Sequence, residues 1–407
     1  MRYSLLNFLA CPASKTELSC VVTKEVASPI GHVRLSACDR VNQAGAMFGP
    51  VPTFTKRNWF SEFLQSRACE AAPSSRDYEA AVEEGLLISG DTGRWYPIRN
   101  FIPELLPDHL RDFDRDLEFL NGLKSALPPE LFERLLDVSV FSGRSDSDDI
   151  GGKYKRAEMA ISTKVNDASF FGPGYMSPFN PGDPEHTIYL IRLFAYCLPL
   201  LQRNGPNHVV LDAGCGYAWT TEWLFKIGFE PIGIDITRTY MDVGRTRVGG
   251  WLPHLVVADT ENLPIRNCSV DAVLCYEAFH HIPDRKKAMR QFFRILKPGK
   301  SVTLAEPGSN HEHAQVSIDV MEKYGILERG MSLADVGGYV RGSGFLRPAQ
   351  HQVLTVDAAI ASRALLTDEF LSQHGFTATN LYTIDKPILT AGERLKSAMR
   401  SLKLLPS

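Results

Sequence analysis

At 407 residues the chain is long enough for two or three domains, each with its own core. Its 44% apolar and 22% charged content is ordinary for a globular protein. A net charge of −3 gives no global attraction to nucleic acid or to an anionic membrane. No apolar run approaches the roughly 20 residues that span a bilayer, so an integral membrane protein is not expected, although peripheral association stays open. The eight cysteines are scattered without short-spaced pairs, and Cys197, Cys215 and Cys275 lie in strand-like runs. That is the pattern of reduced, buried thiols and implies a cytoplasmic address. The opening Leu5-Leu6-Asn7-Phe8-Leu9-Ala10-Cys11 superficially looks like a lipoprotein cleavage site, but too little sequence precedes the cysteine for a signal peptide.

Residues 1 to about 107 form a first unit whose two ends carry its signal. One end is Leu5 to Cys11 continued by Pro12-Ala13-Ser14-Lys15. The other runs from Glu84-Gly85-Leu86-Leu87-Ile88 to Gly93-Arg94-Trp95-Tyr96-Pro97-Ile98-Arg99-Asn100-Phe101-Ile102-Pro103. An insert at about 20–80 mixes β-branched runs with Gly-Pro, Pro-Ser-Ser and Asn-Gln-Ala-Gly breakers, and its function is unreadable. The two ends resemble the Trm112-like (zinc-ribbon) family, where a Cys-Pro-x-Cys-Lys knuckle and a second paired-cysteine knuckle accompany a Tyr-Pro-Ile segment. The resemblance implies four thiolates around a structural zinc. Here Ser14 replaces the second cysteine, and Ser89 and Thr92 stand where the second pair would fall. A lone Cys11 cannot hold zinc tetrahedrally, so the domain is expected to be metal-free and held by its apolar residues. The alternative is that Cys20, Cys38 or Cys69 substitute as ligands, for which their spacing gives no support.

Residues 108–140 are charged and helical in period, with Leu117, Leu120, Leu123 and Leu127 at spaced positions. Arg144-Ser145-Asp146-Ser147-Asp148-Asp149 reads as a solvated linker. Phe170-Phe171-Gly172-Pro173-Gly174-Tyr175 and Asn180-Pro181-Gly182-Asp183 form a segment that is either an irregular connection or an aromatic lid. From Glu185 to Gln202, Ile188, Leu190, Ile191, Phe194, Ala195, Leu198 and Leu201 suit a buried helix. Strands are then expected at 208–212, 230–235, 253–258, 270–275 and 301–305, with helices at 217–227, 237–247, 283–296 and 314–326. That alternation is the signature of a parallel α/β domain. In the tail, Thr390 to Leu405 places Leu395, Ala398, Met399, Leu402 and Leu405 along one face with basic residues elsewhere. Such a helix either packs on its own domain or lies on a membrane surface.

Five elements carry the chemistry. The first is Val209-Val210-Leu211-Asp212-Ala213-Gly214-Cys215-Gly216, a strand that ends in an acid and turns on two glycines, where a backbone can approach a nucleotide-like ligand. The second is Gly233-Ile234-Asp235, whose acid can accept ribose hydroxyls, with Ile236 beside it. Val256-Val257-Ala258-Asp259-Thr260 is the third. The fourth is Ser269 to Cys275 running into Phe279-His280-His281-Ile282-Pro283-Asp284, and the fifth is Ile295-Leu296-Lys297-Pro298-Gly299-Lys300 before Val302-Thr303-Leu304-Ala305-Glu306-Pro307.

In this order they resemble the class I S-adenosylmethionine-dependent methyltransferases of the type 11 or UbiE-like kind, over about 205–350. A dinucleotide fold would want a third glycine at Trp219 and has no use for Asp212. The resemblance implies that Asp212 meets the amino group of the methionine part, that Gly214 and Gly216 let the backbone approach it, that Asp235 with Ile236 holds the ribose, and that Asp259 with Thr260 holds the adenine. Ala218 replaces the third glycine of the family pattern, a small intrusion. Cys215 reads as a buried filler. Methyl transfer is an in-line displacement that needs alignment and often a base. Glu277, His280 and His281 are the candidate catalytic residues, the histidines having structural or cofactor-contact roles as the alternative. His311 and His313 form a second candidate pair, and no metal site is expected.

The fold class expected is thus α/β: a Rossmann-like class I methyltransferase sheet with helices on both faces, plus a small zinc-ribbon-like β domain lacking its zinc ligands. The divisions are 1–107, a helical linker and possible lid at 108–184, the methyltransferase domain at 185–350, and a helical extension at 351–407. The cofactor implied is S-adenosyl-L-methionine. The function implied is O-methylation of a small-molecule or carbohydrate-like acceptor, with C-methylation behind it. Cys275-Tyr276-Glu277-Ala278 stands where adenine amino methylation shows an Asn/Asp-Pro-Pro-aromatic run, and the Pro-Cys nucleophile of cytosine methylation is absent. Two other readings remain: action on tRNA or protein through the first domain, and a non-catalytic adaptor that keeps the fold.

Overall fold

A computed structural model describes residues 1–27, 80–137, 150–164, 176–203, 209–247, 253–352 and 380–388. Cys38 and Cys69 of the insert, the Phe170–Tyr175 stretch, the Arg144–Asp149 run and the basic helix expected at 390–405 lie outside these residues.

The first unit is an antiparallel sheet of four strands in sequential order: β1 (Leu18–Ala27), β2 (Ala80–Ser89), β3 (Trp95–Arg99) and β4 (Ile102–Pro103). Two helices follow, α1 (Phe113–Gly122) and α2 (Pro129–Leu136), and the leucines at 120, 123 and 127 pack against Leu86, Ile88 and Trp95 of that sheet. Asp112 caps α1 by accepting from the Arg115 N–H at 3.1 Å.

Within the stretch expected as a helical linker, α3 (Ile150–Lys164) precedes α4 (Pro184–Gln202). The second sheet is then built from β5 (Val209–Ala213), β6 (Glu230–Asp235), β7 (His254–Val257), β8 (Val270–Tyr276), β9 (Leu296–Glu306), β10 (Ala349–Gln352) and β11 (Asn380–Asp385), with helices α5 (Trp219–Ile227), α6 (Arg238–Arg247), α7 (Arg285–Ile295), α8 (Gln315–Tyr324) and α9 (Leu333–Val340). Each of the five expected strands and four expected helices is present, with ends displaced by a few residues. The sheet order is β10-β11-β9-β8-β5-β6-β7. Strands β5 to β9 pair in parallel, whereas β11 runs antiparallel to both β9 and β10.

The strands are apolar along their length because both faces are covered. Val209, Leu211 and Ala213 enter one core with Met289 and Phe292 of α7 and Val336 and Val340 of α9. Their neighbour Val210 enters another core with Phe194 and Leu201 of α4 and Trp219 and Leu224 of α5. Helices therefore lie on both faces, as expected. The extension expected to be helical is corrected in its described part: β10 straddles residue 350, and β11 continues the sheet beyond it. Leu381 and Ile384 of β11 are buried against opposite faces, which fits a strand and not a helix.

The two sheets share a core. Met1, Leu5, Phe8 and Leu9 are buried with Val256, Leu263 and Ile265. Backbone bonds join them: Ala10 N–H to the Pro264 carbonyl at 2.9 Å, Arg266 N–H to that of Phe8 at 2.8 Å, and Leu105 N–H to that of Val257 at 2.8 Å. Arg2 pairs with Glu230 at the start of β6, and the His254 Nε2 stands 3.0 Å from the same carboxylate. The first domain thus closes the β7 edge of the second sheet and is built into it. No described helix is long and apolar enough to cross a membrane.

Candidate functional site

The sheet reverses its strand order between β5 and β8, which opens a crevice at the carboxyl ends of the strands. A cavity of about 670 Å³ fills it, and Gly214, Gly216, Asp235, Ile236, Asp259 and Thr260 line one part of it. Glu277, His280 and His281 line the same cavity, so the expected site residues share it with the exception of Asp212, whose chain neighbours Ala213 and Gly214 line it instead.

The turn after β5 is held by the Gly214 and Cys215 N–H groups, which donate to the Ile234 carbonyl at 2.8 and 3.0 Å. Three residues in it are left-handed: Gly214 (φ 76), Gly216 (φ 51) and Ala218 (φ 59). The two glycines serve different ends. A Cβ on Gly214 would fall 2.4 Å from the Ala278 Cβ, so this glycine admits the loop after β8. A Cβ on Gly216 would meet nothing within 4 Å; its side faces the open cavity. Ala218 is a left-handed alanine, and its methyl group is housed by a glycine on α6: a Cβ on Gly244 would lie 2.8 Å from it. Cys215 is buried with its sulfur 3.7 Å from that of Met241, and burial pushes its thiol well up, as suits a filler.

Asp212 is fully buried. Its Oδ2 accepts from the Thr220 and Thr221 hydroxyls, each at 2.6 Å, while its Oδ1 has no partner among the described residues. Burial raises its carboxyl to about 6, against the two hydroxyls that lower it. A buried oxygen without a donor costs on the order of 1–3 kcal/mol and marks a place for one. Asp235 ends β6 with Oδ2 accepting from Gly216 N–H and Oδ1 from Thr237 N–H, both at 2.8 Å. Each oxygen keeps a lone pair for a further donor.

Asp259 is held by its own chain on both carboxylate oxygens. Its Oδ2 accepts from Lys155 Nζ and Asn262 Nδ2, both at 2.9 Å, and its Oδ1 from Glu261 N–H at 3.0 Å. Lys155, on α3, also reaches Glu261 at 2.7 Å. Asp259 therefore fastens α3 over the cavity, and the room it keeps for a ligand is one acceptor position. Lys155 was missed because it stands beside a run that reads as linker, and a single lysine there carries no motif.

On the far side, Glu277 follows β8 at φ 48, a left-handed conformation rarely held by a residue with a side chain. It accepts from the Tyr189 hydroxyl at 2.8 Å, and burial raises its carboxyl to about 7. His280 is bound at Nδ1 to Glu306, 2.7 Å away at the end of β9, and the same carboxylate accepts from the N–H groups of Ala278, Phe279 and His280. Burial and the adjacent imidazoles drive the His280 pKa well down, so the ring is neutral. His281 donates from Nδ1 to the Leu327 carbonyl at 2.7 Å. Its pKa is lowered by burial but raised more by Glu158 and Glu328, and ends above the ordinary value. Of the second pair, His311 lines the cavity, 2.7 Å from Glu328, while His313 is exposed and apart from it. Glu158 and Glu328 were also missed, since isolated glutamates outside a motif give no signal in a sequence. Of the possible lid, Ser177, Asn180, Gly182 and Asp183 line the cavity.

In the first domain, Ser14 and Ser89 meet at a further residue, Asp91. Asp91 Oδ1 accepts from Ser14 at 3.2 Å, from Thr16 at 2.8 Å and from Ser89. These hydroxyls hold its carboxyl down at about 2. Cys11 is buried beside the Tyr96 hydroxyl at 3.5 Å. Hydroxyls converging on one carboxylate link the two knuckles here, in addition to the apolar residues.

Comparison with known proteins gives matches in both parts of the chain. Residues 211–304 match the methyltransferase domain family, and residues 2–100 match the Trm112p-like protein family. The methyltransferase GfsG of Streptomyces halstedii is 32% identical over 138 residues, which is 33% of this chain and 50% of that protein. The O-methyltransferase cnsE of Penicillium expansum is 31% identical over 107 residues, 25% of this chain and 39% of that protein. The chain thus spans about half, or less, of the length of these relatives. Among solved structures, a chain of the complex between the Haloferax volcanii Trm112 methyltransferase activator and its methyltransferase is similar over 50% of this chain and 93% of its own, at 22% identity and a TM-score of 0.40.

Proposed function

With residues 211–304 a methyltransferase domain and residues 2–100 a Trm112p-like one, we propose that the protein transfers a methyl group from S-adenosyl-L-methionine to a hydroxyl of a small-molecule or carbohydrate-like acceptor. The observation that carries this is the unpartnered Oδ1 of buried Asp212, four residues before Gly216, whose own side faces open space. A ligand ammonium satisfies that oxygen, and the backbone at Gly216 leaves space for what is attached to it. Asp235, rigid because both its oxygens are tied to backbone N–H groups, offers its remaining lone pairs to the two ribose hydroxyls, with Ile236 alongside. Thr260 and the last acceptor position of Asp259 bound the adenine end.

Bound S-adenosylmethionine supplies an activated methyl group, so the protein's work is alignment and proton removal. Glu277 is the residue for the second task. It faces the cavity, its carboxyl is raised to about 7, and Tyr189 fixes its orientation. A base with a pKa near the operating pH is both available and strong enough to accept a hydroxyl proton. His280, locked to Glu306, and His281, locked to Leu327, position the acceptor side. The names of the curated relatives, one of them an O-methyltransferase, support the choice of oxygen. The described cysteines are free thiols, which supports a cytoplasmic address.

Titration calorimetry with S-adenosylmethionine and its demethylated product tests the reading; absence of binding by both sinks it. A second reading, action on RNA or protein, draws on the Trm112p-like match of the first domain. Methyl label appearing in tRNA or ribosomal protein and in no hydroxylated small molecule would establish it instead.

A further inference from the structure

We infer that His280, His311 and Glu328 form a binding site for one divalent transition-metal ion on the acceptor side of the cavity. One ligand atom from each of the three lies within 4.8 Å of the other two, and the three side chains line the cavity. The Glu328 Oε2 stands 2.7 Å from His311 Nε2 and 3.4 Å from His280 Nε2. An ion held at ~2.0–2.2 Å by nitrogen and oxygen ligands spaces neighbouring donors by about 3.0–3.4 Å, so the His280–Glu328 pair already has that spacing and the His311–Glu328 pair opens by a few tenths of an ångström to admit the ion.

The surroundings are built for it. The His280 Nδ1 stands 2.7 Å from the Glu306 carboxylate, and in the tautomer with its proton on Nδ1 the Nε2 lone pair faces the Glu328 carboxylate at 3.4 Å. Two lone-pair donors converge there, and a cation between them turns their repulsion into binding. A carboxylate behind a histidine is the arrangement that orients and strengthens such a ligand. Glu306 is itself immobilised by three backbone N–H groups. The loops bearing His311 and Glu328 are brought together by a close backbone approach at Gly330, where a Cβ would lie 2.3 Å from the Gly308 carbonyl oxygen and 3.0 Å from His311 N. The Glu312 carboxylate, accepting from Gly330 N–H at 2.7 Å, ties that contact.

Two imidazoles and a carboxylate suit zinc, manganese or ferrous iron better than magnesium or calcium, which prefer all-oxygen sites. Three protein ligands leave positions open toward the cavity, where an acceptor with a hydroxyl beside a second oxygen can bind. That use of the ion rests on the methyl-transfer reading, whereas its binding does not.

The test uses the full chain, stripped with chelator and titrated separately with zinc and manganese, with elemental analysis of the dialysed protein and the visible spectrum of the cobalt form. One ion per chain is expected, with affinity falling at least about 100-fold in His311→Ala and in the isosteric Glu328→Gln. Thermal unfolding of both variants without metal checks that they fold, and Glu328→Gln carries the test if His311→Ala does not. Absence of stoichiometric binding, or binding unchanged in a folded Glu328→Gln variant, overturns the proposal. Binding of the demethylated cofactor, measured in the same metal-free protein, is independent of this result and reports on the methyltransferase reading alone.

Discussion

Gly214 and Gly216 share a sequence motif and a left-handed backbone, yet alanine at the two positions should fail for different reasons. Alanine at φ 76 on position 214 costs about 1–2 kcal/mol in backbone strain. Its methyl would also sit 2.4 Å from the Ala278 Cβ. Ala278 cannot yield freely, because its N–H donates to Glu306 at 3.1 Å and it stands in the turn that sets Glu277 and His280. Forcing a methyl into such a place costs about 1–3 kcal/mol more. The sum, about 2–5 kcal/mol, must appear somewhere. If the turn keeps its shape the folded state loses it, and if the turn relaxes, cofactor affinity falls by roughly 30-fold to several thousand-fold.

Chemical unfolding and calorimetry with the demethylated cofactor, run on the same samples, read the two components. Gly216→Ala has only the strain to bear, since nothing lies within 4 Å of its Cβ. It should lose about 1–2 kcal/mol of stability and, with its methyl in the ligand's space, most of its binding. A Gly214→Ala protein that matched wild type in both measurements would refute the packing argument. Equal losses of both stability and cofactor affinity in the two variants would refute the distinction between them.

Ala218→Gly should stabilise the protein by about 0.5–1 kcal/mol, the relief of a left-handed alanine less the extra freedom of the unfolded chain, read as a shift in the unfolding midpoint. Lys155→Met leaves Asp259 and Glu261 buried without their cation and should cost about 3–5 kcal/mol, with α3 becoming the first site of limited proteolysis. Because burial raises Glu277 to about 7, the methylation rate should fall as pH drops through 7 and the base is protonated. Glu277→Gln should flatten that limb and slow transfer by about 10²–10⁴-fold in single-turnover assays. Glu230 is pushed up by burial but held down at about 2 by Arg2 and His254, below its unfolded value. Its contribution is therefore complete above the unfolded pKa and is lost as pH falls toward 2, and thermal midpoints against pH should show that acid limb shrinking in Arg2→Ala.

Much of the fold was legible because its signals are local. A parallel strand buried on both faces must be a short apolar run, and an acid followed by spaced glycines marks its end. Asp212, Asp235, Asp259 and Glu277 could be picked out because each terminates such a run. Tail residues 380–385 were misjudged as part of a helical extension because a six-residue strand added at the far side of a sheet takes its partner from β9, some 80 residues away.

The sequence alone determined the α/β alternation, the crevice at the strand ends, the acids that face it and the loss of paired cysteines from the first domain. Local chain chemistry suffices for each. Tertiary structure decided that Gly214 makes room for Ala278 while Gly216 faces open space, that Asp259 is engaged by Lys155, that Asp91 gathers the hydroxyls of Ser14, Thr16 and Ser89, and that His280, His311 and Glu328 meet. Those are contacts between segments far apart in the chain, fixed by how the sheets and helices pack, and spacing along a sequence does not encode them.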